Sequence, residues 1–100
     1  MRNPKNGHPG PRNVVGPRLR QARMSFKPQL TQDELSGRLA AKHLTLDRVA
    51  ITKIENGQRC VFDYELPTLV EVLNVDVRWL LGMQAAKGPW MNDGRSSDGI

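Results

Sequence analysis

The sequence predicts an all-α fold, a compact bundle of five short helices, and three observations point to it. Apolar residues recur at helical spacing in successive segments, as in Leu66, Leu69, Val70 and Leu73. Cap residues stand in front of those segments (Thr31, Asp47, Asp63, Asp76), and glycines, Gly57 and Gly82, follow two of them. At 100 residues, 38% of them hydrophobic and 25% charged, the chain is one small domain, too short for two separate cores.

Residues 1–13 hold three prolines, two glycines and no apolar pattern, so a disordered basic arm is expected, with Arg2, Lys5 and Arg12 able to follow a phosphate backbone. The domain proper is placed at 14–82. A first helix starts near Gly16-Pro17, with proline suited to the first helical position, and runs to about Ser25. Val15, Leu19, Ala22 and Phe26 form its inner side. Lys27-Pro28-Gln29 breaks it before Leu30 enters the core.

Thr31-Gln32-Asp33-Glu34 reads as a capping box, in which the threonine hydroxyl caps the helix and the glutamate reaches back. The second helix buries Leu35 and Leu39, with Ala40 near them, and fades around Lys42 to Leu44. Asp47 and Gly57 then bracket a third helix, Arg48 to Asn56. At 100° per residue, Ala50, Ile51 and Ile54 point one way and Arg48, Val49, Thr52, Lys53 and Asn56 the other. A solvated face is common on surface helices. This one has no acidic residue and combines Arg, Lys, Asn and Thr, which bond base edges or phosphates, with a valine able to touch a thymine methyl.

After the loop Gln58 to Phe62, Asp63 is the expected cap of a fourth helix reaching Leu73, with Pro67 tolerable only in its first turn. Asp76 caps a short fifth helix, Val77 to Leu81, ended by Gly82 and anchored by Trp79 and Leu80. Residues 83–100, rich in Gly, Ser and Asp, are expected to be a flexible C-terminal tail.

Charge narrows the function classes. The net charge is +5 and the pI about 10.0, which favours a polyanionic partner. The charges from Met1 to Arg23 are all positive, whereas Asp63 to Gly82 carries Asp63, Glu65, Glu71 and Asp76 against Arg78. That polarity suits early helices facing DNA and late ones facing away. The single cysteine, Cys60, excludes an internal disulfide, and with His8 and His43 it makes no metal-ligand spacing. His43 reads as a helix-end residue. No nucleophile, paired-carboxylate or phosphate-loop arrangement stands out, so neither catalysis nor a cofactor is expected. No apolar run suggests a signal peptide or membrane span, and a cytoplasmic location is expected.

Thr31-Gln32, Glu34-Leu35, Ile51, Ile54-Glu55-Asn56-Gly57 and the later Leu80-Leu81-Gly82 resemble the phage repressor and Cro type of helix-turn-helix domain, the xenobiotic response element family. The resemblance runs from about Val14 to Gly82. It implies a lambda-repressor-like DNA-binding domain in which Gln32 touches a phosphate and braces the reading helix. It implies that Arg48, Val49, Thr52 and Lys53 face bases, and that Asn56, the Gly57 backbone amide and Arg59 contact phosphates. Arg23 and Glu55 match an Arg–Glu pair tying the first helix to the end of the reading helix.

The spacing from Thr31 to Glu55 departs from that pattern, being about five residues longer than a turn of 3–4 residues allows, and the linker lacks glycine. His43 to Leu46 is either an added helical turn or a loop against the reading helix, with Leu44 or Leu46 buried. The resemblance also implies a homodimer reading two half-sites, for which Trp79, Leu81, Met83 and Trp90 are candidates, unless they cover the domain's own core. The function expected is a sequence-specific DNA-binding transcriptional regulator, repressor or Cro-like, bound to double-stranded DNA. The alternative is an antitoxin or protein-interaction adaptor on the same fold.

Overall fold

The structure, a computed structural model, describes residues 12–83 and residue 87. Among these there are five α-helices and no strand: α1 (Gly16–Met24), α2 (Gln32–Ala40), α3 (Arg48–Glu55), α4 (Leu66–Leu73) and α5 (Val77–Leu80). Most of the expected arm and tail, with Arg2, Lys5 and Trp90, lies outside the described residues. No helix among the described residues is long and apolar enough to cross a membrane.

Local chemistry starts the helices. Thr31 Oγ1 accepts the Glu34 N–H at 3.0 Å while Glu34 Oε1 accepts the Thr31 N–H at 2.8 Å, completing the capping box of α2. Asp47 caps α3 by accepting the Ala50 N–H at 2.8 Å. Asp76 caps α5 by accepting the Arg78 N–H at 2.8 Å. The fourth helix differs from expectation. A 3-10 turn, Asp63–Glu65, leads into α4, and the carboxylate that accepts the Phe62 N–H, at 2.8 Å, belongs to Glu65 rather than Asp63. Pro67 sits in the first turn of α4, where its missing N–H breaks no helical bond.

Four helices end alike. His43, Gly57, Asn74 and Gly82 have φ of 68°, 76°, 56° and 82°. Each follows its helix with the paired bonds of a Schellman ending, as in His43 N–H to Ala40 O (2.9 Å) and Leu44 N–H to Leu39 O (3.0 Å). This settles the long linker. His43 takes the left-handed position that glycine fills elsewhere, at a cost of roughly 1–2 kcal/mol for a residue with a Cβ. Residues 44–47 then run on without helix. Both Leu44 and Leu46 are buried in the core, so the extension is a loop pinned by two leucines and not an added helical turn.

The core joins Leu19 and Ala22 of α1, Leu35 and Leu39 of α2, and Ile51 and Ile54 of α3 to Leu69, Val70 and Leu73 of α4. Trp79 is 3% exposed and belongs to this core, with the Arg18 guanidinium 5.1 Å from its ring centroid. It is therefore unavailable for contact with a second copy, whereas Met83 is 74% exposed. Where α1 begins, its backbone presses on the end of α3. A Cβ at Gly16 would collide with the Ile54 carbonyl, so only glycine fits.

Candidate nucleic-acid interface

The orientation of α3 is set from beneath. Ile51 and Ile54 are fully buried, and the opposite face carries Arg48, Val49, Lys53 and Asn56 exposed and Thr52 half-buried. Val49 keeps 56% of its surface in water. No side chain on that face is acidic. Beside it stands Asp33 of α2, whose Oδ1 lies 3.9 Å from Arg48 Nε, both side chains being largely solvated.

A buried ion pair locks the other side of α3 to α1 and α2. Arg23 donates through Nε to Glu55 Oε2 at 2.7 Å and through Nη2 to Glu55 Oε1 at 3.0 Å. Its Nη1 holds the Leu30 carbonyl at 2.9 Å. Gln32 Nε2 donates to Glu55 Oε1 at 3.1 Å, and Thr52 Oγ1 donates to Gln32 Oε1 at 2.9 Å. The Arg–Glu pair implied by the resemblance thus forms, and Gln32 braces α3 through two residues of that helix. Above the pair is an open cleft between α1, α2 and α3, lined among others by Arg20, Gln21, Gln32, Arg48 and Asn56. Of the expected contact residues, Gln32, Arg48 and Asn56 line it. Val49, Thr52, Lys53, Gly57 and Arg59 do not.

Two expected phosphate ligands are otherwise engaged. The Gly57 N–H donates to Ile54 O at 3.0 Å, closing the Schellman ending of α3, so it is not free for a phosphate. Its carbonyl accepts the Arg12 N–H at 2.8 Å. Arg59 is a clamp. Its Nη2 meets Glu65 Oε2 at 3.0 Å, its Nη1 meets Glu65 Oε1 at 3.2 Å and Cys60 O at 2.7 Å, and its guanidinium lies 5.5 Å from the Phe62 ring centroid. Glu65 is only 2% exposed and Arg59 has 26% of its side chain exposed, so the guanidinium is needed where it is. Hydrogen bonding to Glu65 holds the Arg59 pKa above its ordinary value.

Asn13, placed by composition at the end of the arm, belongs to the domain. Its Oδ1 accepts the Gly16 N–H at 2.7 Å, and its Nδ2 donates to Ile54 O at 3.1 Å and Arg59 O at 2.7 Å. One side chain therefore ties the start of α1 to the end of α3 and the loop beyond it. The signal available in the sequence was an asparagine three residues ahead of a helix start, a local capping pattern. Glu65 had the same kind of signal, a carboxylate three residues after Phe62.

Among the described residues, no group of three or more His, Cys, Asp or Glu side chains could hold a metal ion. No protein-family model matches the chain, and no curated protein matches it.

Proposed function

We propose that the chain is a sequence-specific DNA-binding transcriptional regulator of the repressor or Cro type, in which α2 and α3 act as a helix-turn-helix and α3 enters the major groove. The observation that carries this reading is the face of α3. A helix held by two buried isoleucines and a buried ion pair presents Arg48, Val49, Thr52, Lys53 and Asn56 outward with no acid among them. Such a face supplies bidentate donors, an apolar contact and phosphate ligands on a rigid support. The cleft beside it carries Arg20, Arg23 and Arg48 against Asp33 and Glu55, the latter taken up by Arg23, so its walls keep a surplus of one positive charge for a phosphate backbone passing between α1 and α3. Two copies of the domain, joined through residues such as Leu81 and Met83, would read half-sites about one helical turn apart.

Selection of bound duplexes from a random pool tests the proposal. A common half-site should emerge, with affinity falling steeply between about 50 and 200 mM salt as counterions are released. Failure to enrich any duplex, or binding insensitive to salt, overturns it.

One observation favours a second reading, an antitoxin or adaptor that holds a protein. Phe62 and Tyr64 are 51% and 66% exposed, with rings stacked at 5.7 Å between centroids. Aromatic side chains in water are common anchors of protein contacts. A toxin-like reading frame beside the coding sequence would favour the adaptor, and an inverted repeat upstream the regulator.

A further inference from the structure

The hydrogen bonds around Glu55 have a direction, and that direction reaches the DNA-facing side of α3. Arg23 spends Nε and Nη2 on Glu55, whose two carboxylate oxygens accept these bonds. The group of Gln32 that lies 3.1 Å from Glu55 Oε1 must therefore be its amide nitrogen, because a reversed amide would set two oxygens against each other. Gln32 Oε1 is then turned towards Thr52 Oγ1, 2.9 Å away. A carbonyl oxygen has no proton to give, so the single hydroxyl proton of Thr52 fills that contact. What Thr52 has left is lone pairs.

We infer that Thr52 meets DNA as a hydrogen-bond acceptor only, so that the base beneath it is read through an exocyclic amino group, N6 of adenine or N4 of cytosine. The inference rests on the proposal that α3 reads the major groove and goes beyond it in assigning the chemistry of one contact. A free serine or threonine hydroxyl turns to suit either a donor or an acceptor and so discriminates poorly. This one cannot turn without breaking the chain Thr52–Gln32–Glu55–Arg23. Guanine N7 and O6, adenine N7 and thymine O4 are all acceptors and would face its lone pairs unfavourably. At 100° per residue Thr52 lies between Arg48 and Asn56 on the outward face, where it is half-buried, so its contact falls within the stretch that Arg48 and Val49 flank. Arg23 and Glu55 act here as positioning residues. They touch no base, yet they decide which way the hydroxyl points.

The experiment starts from a duplex selected by the wild-type chain. Thr52→Val, which keeps the shape and removes the hydroxyl, is compared with wild type on all single-base variants at fixed salt, and the position where their preferences differ is the Thr52 contact. Atom-deleted bases are then placed there. Removing the amino group, with purine for adenine or a 4-deaminated pyrimidinone for cytosine, should weaken wild type roughly tenfold and Thr52→Val hardly at all. Replacing the purine by its 7-deaza analogue should produce no effect that depends on Thr52. Thr52→Ser should restore the wild-type pattern, and melting curves check that each variant is folded. If the 7-deaza change, and not the amino deletion, erases the difference between wild type and Thr52→Val, the hydroxyl is a donor and the inference is overturned. It is also overturned if the two proteins rank every variant alike. A selection that enriches no duplex is a separate failure, since it removes the DNA-reading proposal itself.

Discussion

Arg23 and Glu55 are joined by two hydrogen bonds, of 2.7 and 3.0 Å, with side chains only 12% and 3% exposed. Burial changes what such a pair is worth, because removing one partner leaves the other charge without solvent. Glu55→Ala should destabilise the fold by about 3–5 kcal/mol. Replacing both residues by apolar ones should cost less than Glu55→Ala alone. Denaturant unfolding of the single and double variants measures both quantities. An unchanged midpoint for Glu55→Ala would show that water reaches the pair.

The clamp between Arg59 and Glu65 separates a structural role from a DNA-binding one. Arg59→Ala strands a carboxylate that is 2% exposed, although Glu65 keeps the Phe62 N–H, and the expected loss is about 1–3 kcal/mol of stability. Arg59→Lys keeps the charge but not the paired donors, so it should fall between. A protein that melts like wild type yet binds all duplexes more weakly would return Arg59 to the phosphate backbone.

Of these two pairs, Arg23–Glu55 was expected from the resemblance, whereas Arg59–Glu65 was not. Caps and apolar spacing are local, so Thr31, Asp47 and Asp76, the buried leucines of α2 and α4, and the two faces of α3 were all legible. Glu65, and not Asp63, caps the turn before α4, and the same carboxylate meets Arg59, six positions earlier, a contact that local spacing does not announce. The left-handed His43 was hidden for a different reason. Glycine announces such a position and histidine does not, so the linker stayed open between a helical turn and a loop. Gly57 was recognised as a helix stop, but using it as a stop consumes the amide that a phosphate would need. Asn13 was hidden by composition, since the prolines and glycines ahead of it made the whole stretch read as an arm.

The capping box of α2 makes a pH prediction. The Thr31 backbone N–H, and then the Thr31 side chain, hold the Glu34 carboxyl below its ordinary value of 4.5. A carboxyl whose folded-state pKa is depressed contributes stability that is fully present above 4.5 and lost as the pH falls through the lower folded value. Wild type should therefore lose more stability than Glu34→Gln between about pH 5 and pH 3, because the amide still accepts from Thr31 but does not titrate. Thr31→Ala should cost about 1 kcal/mol at neutral pH through loss of the cap. Urea midpoints of the three proteins across that range test it, and parallel curves for wild type and Glu34→Gln would remove Glu34 from the acid sensitivity.

Arg48 is the residue on which the proposed reading of DNA by α3 can be tested most directly. It is the first residue of α3, its side chain is 65% exposed, and its only described ionic neighbour is Asp33 at 3.9 Å, also solvated. Its removal should change stability by no more than about 0–1 kcal/mol, the range of exposed ion pairs. An arginine at the tip of a helix entering the groove can bond guanine through both O6 and N7, a contact worth about 1–3 kcal/mol of discrimination. Arg48→Ala should therefore keep the wild-type melting curve and lose preference at one G·C pair in each half-site. Lys53→Ala, from the far edge of the same face, should instead blur a neighbouring position or lower the salt dependence without altering rank order. The 44–47 loop bears on the outcome, because its buried Leu44 and Leu46 lead directly into the start of α3. Binding of wild type and Arg48→Ala to a selected site and its single-base variants, at fixed salt, decides the matter. Identical rankings would mean that Arg48 reads no base and that the loop presents α3 by its middle, around Thr52, rather than by its tip.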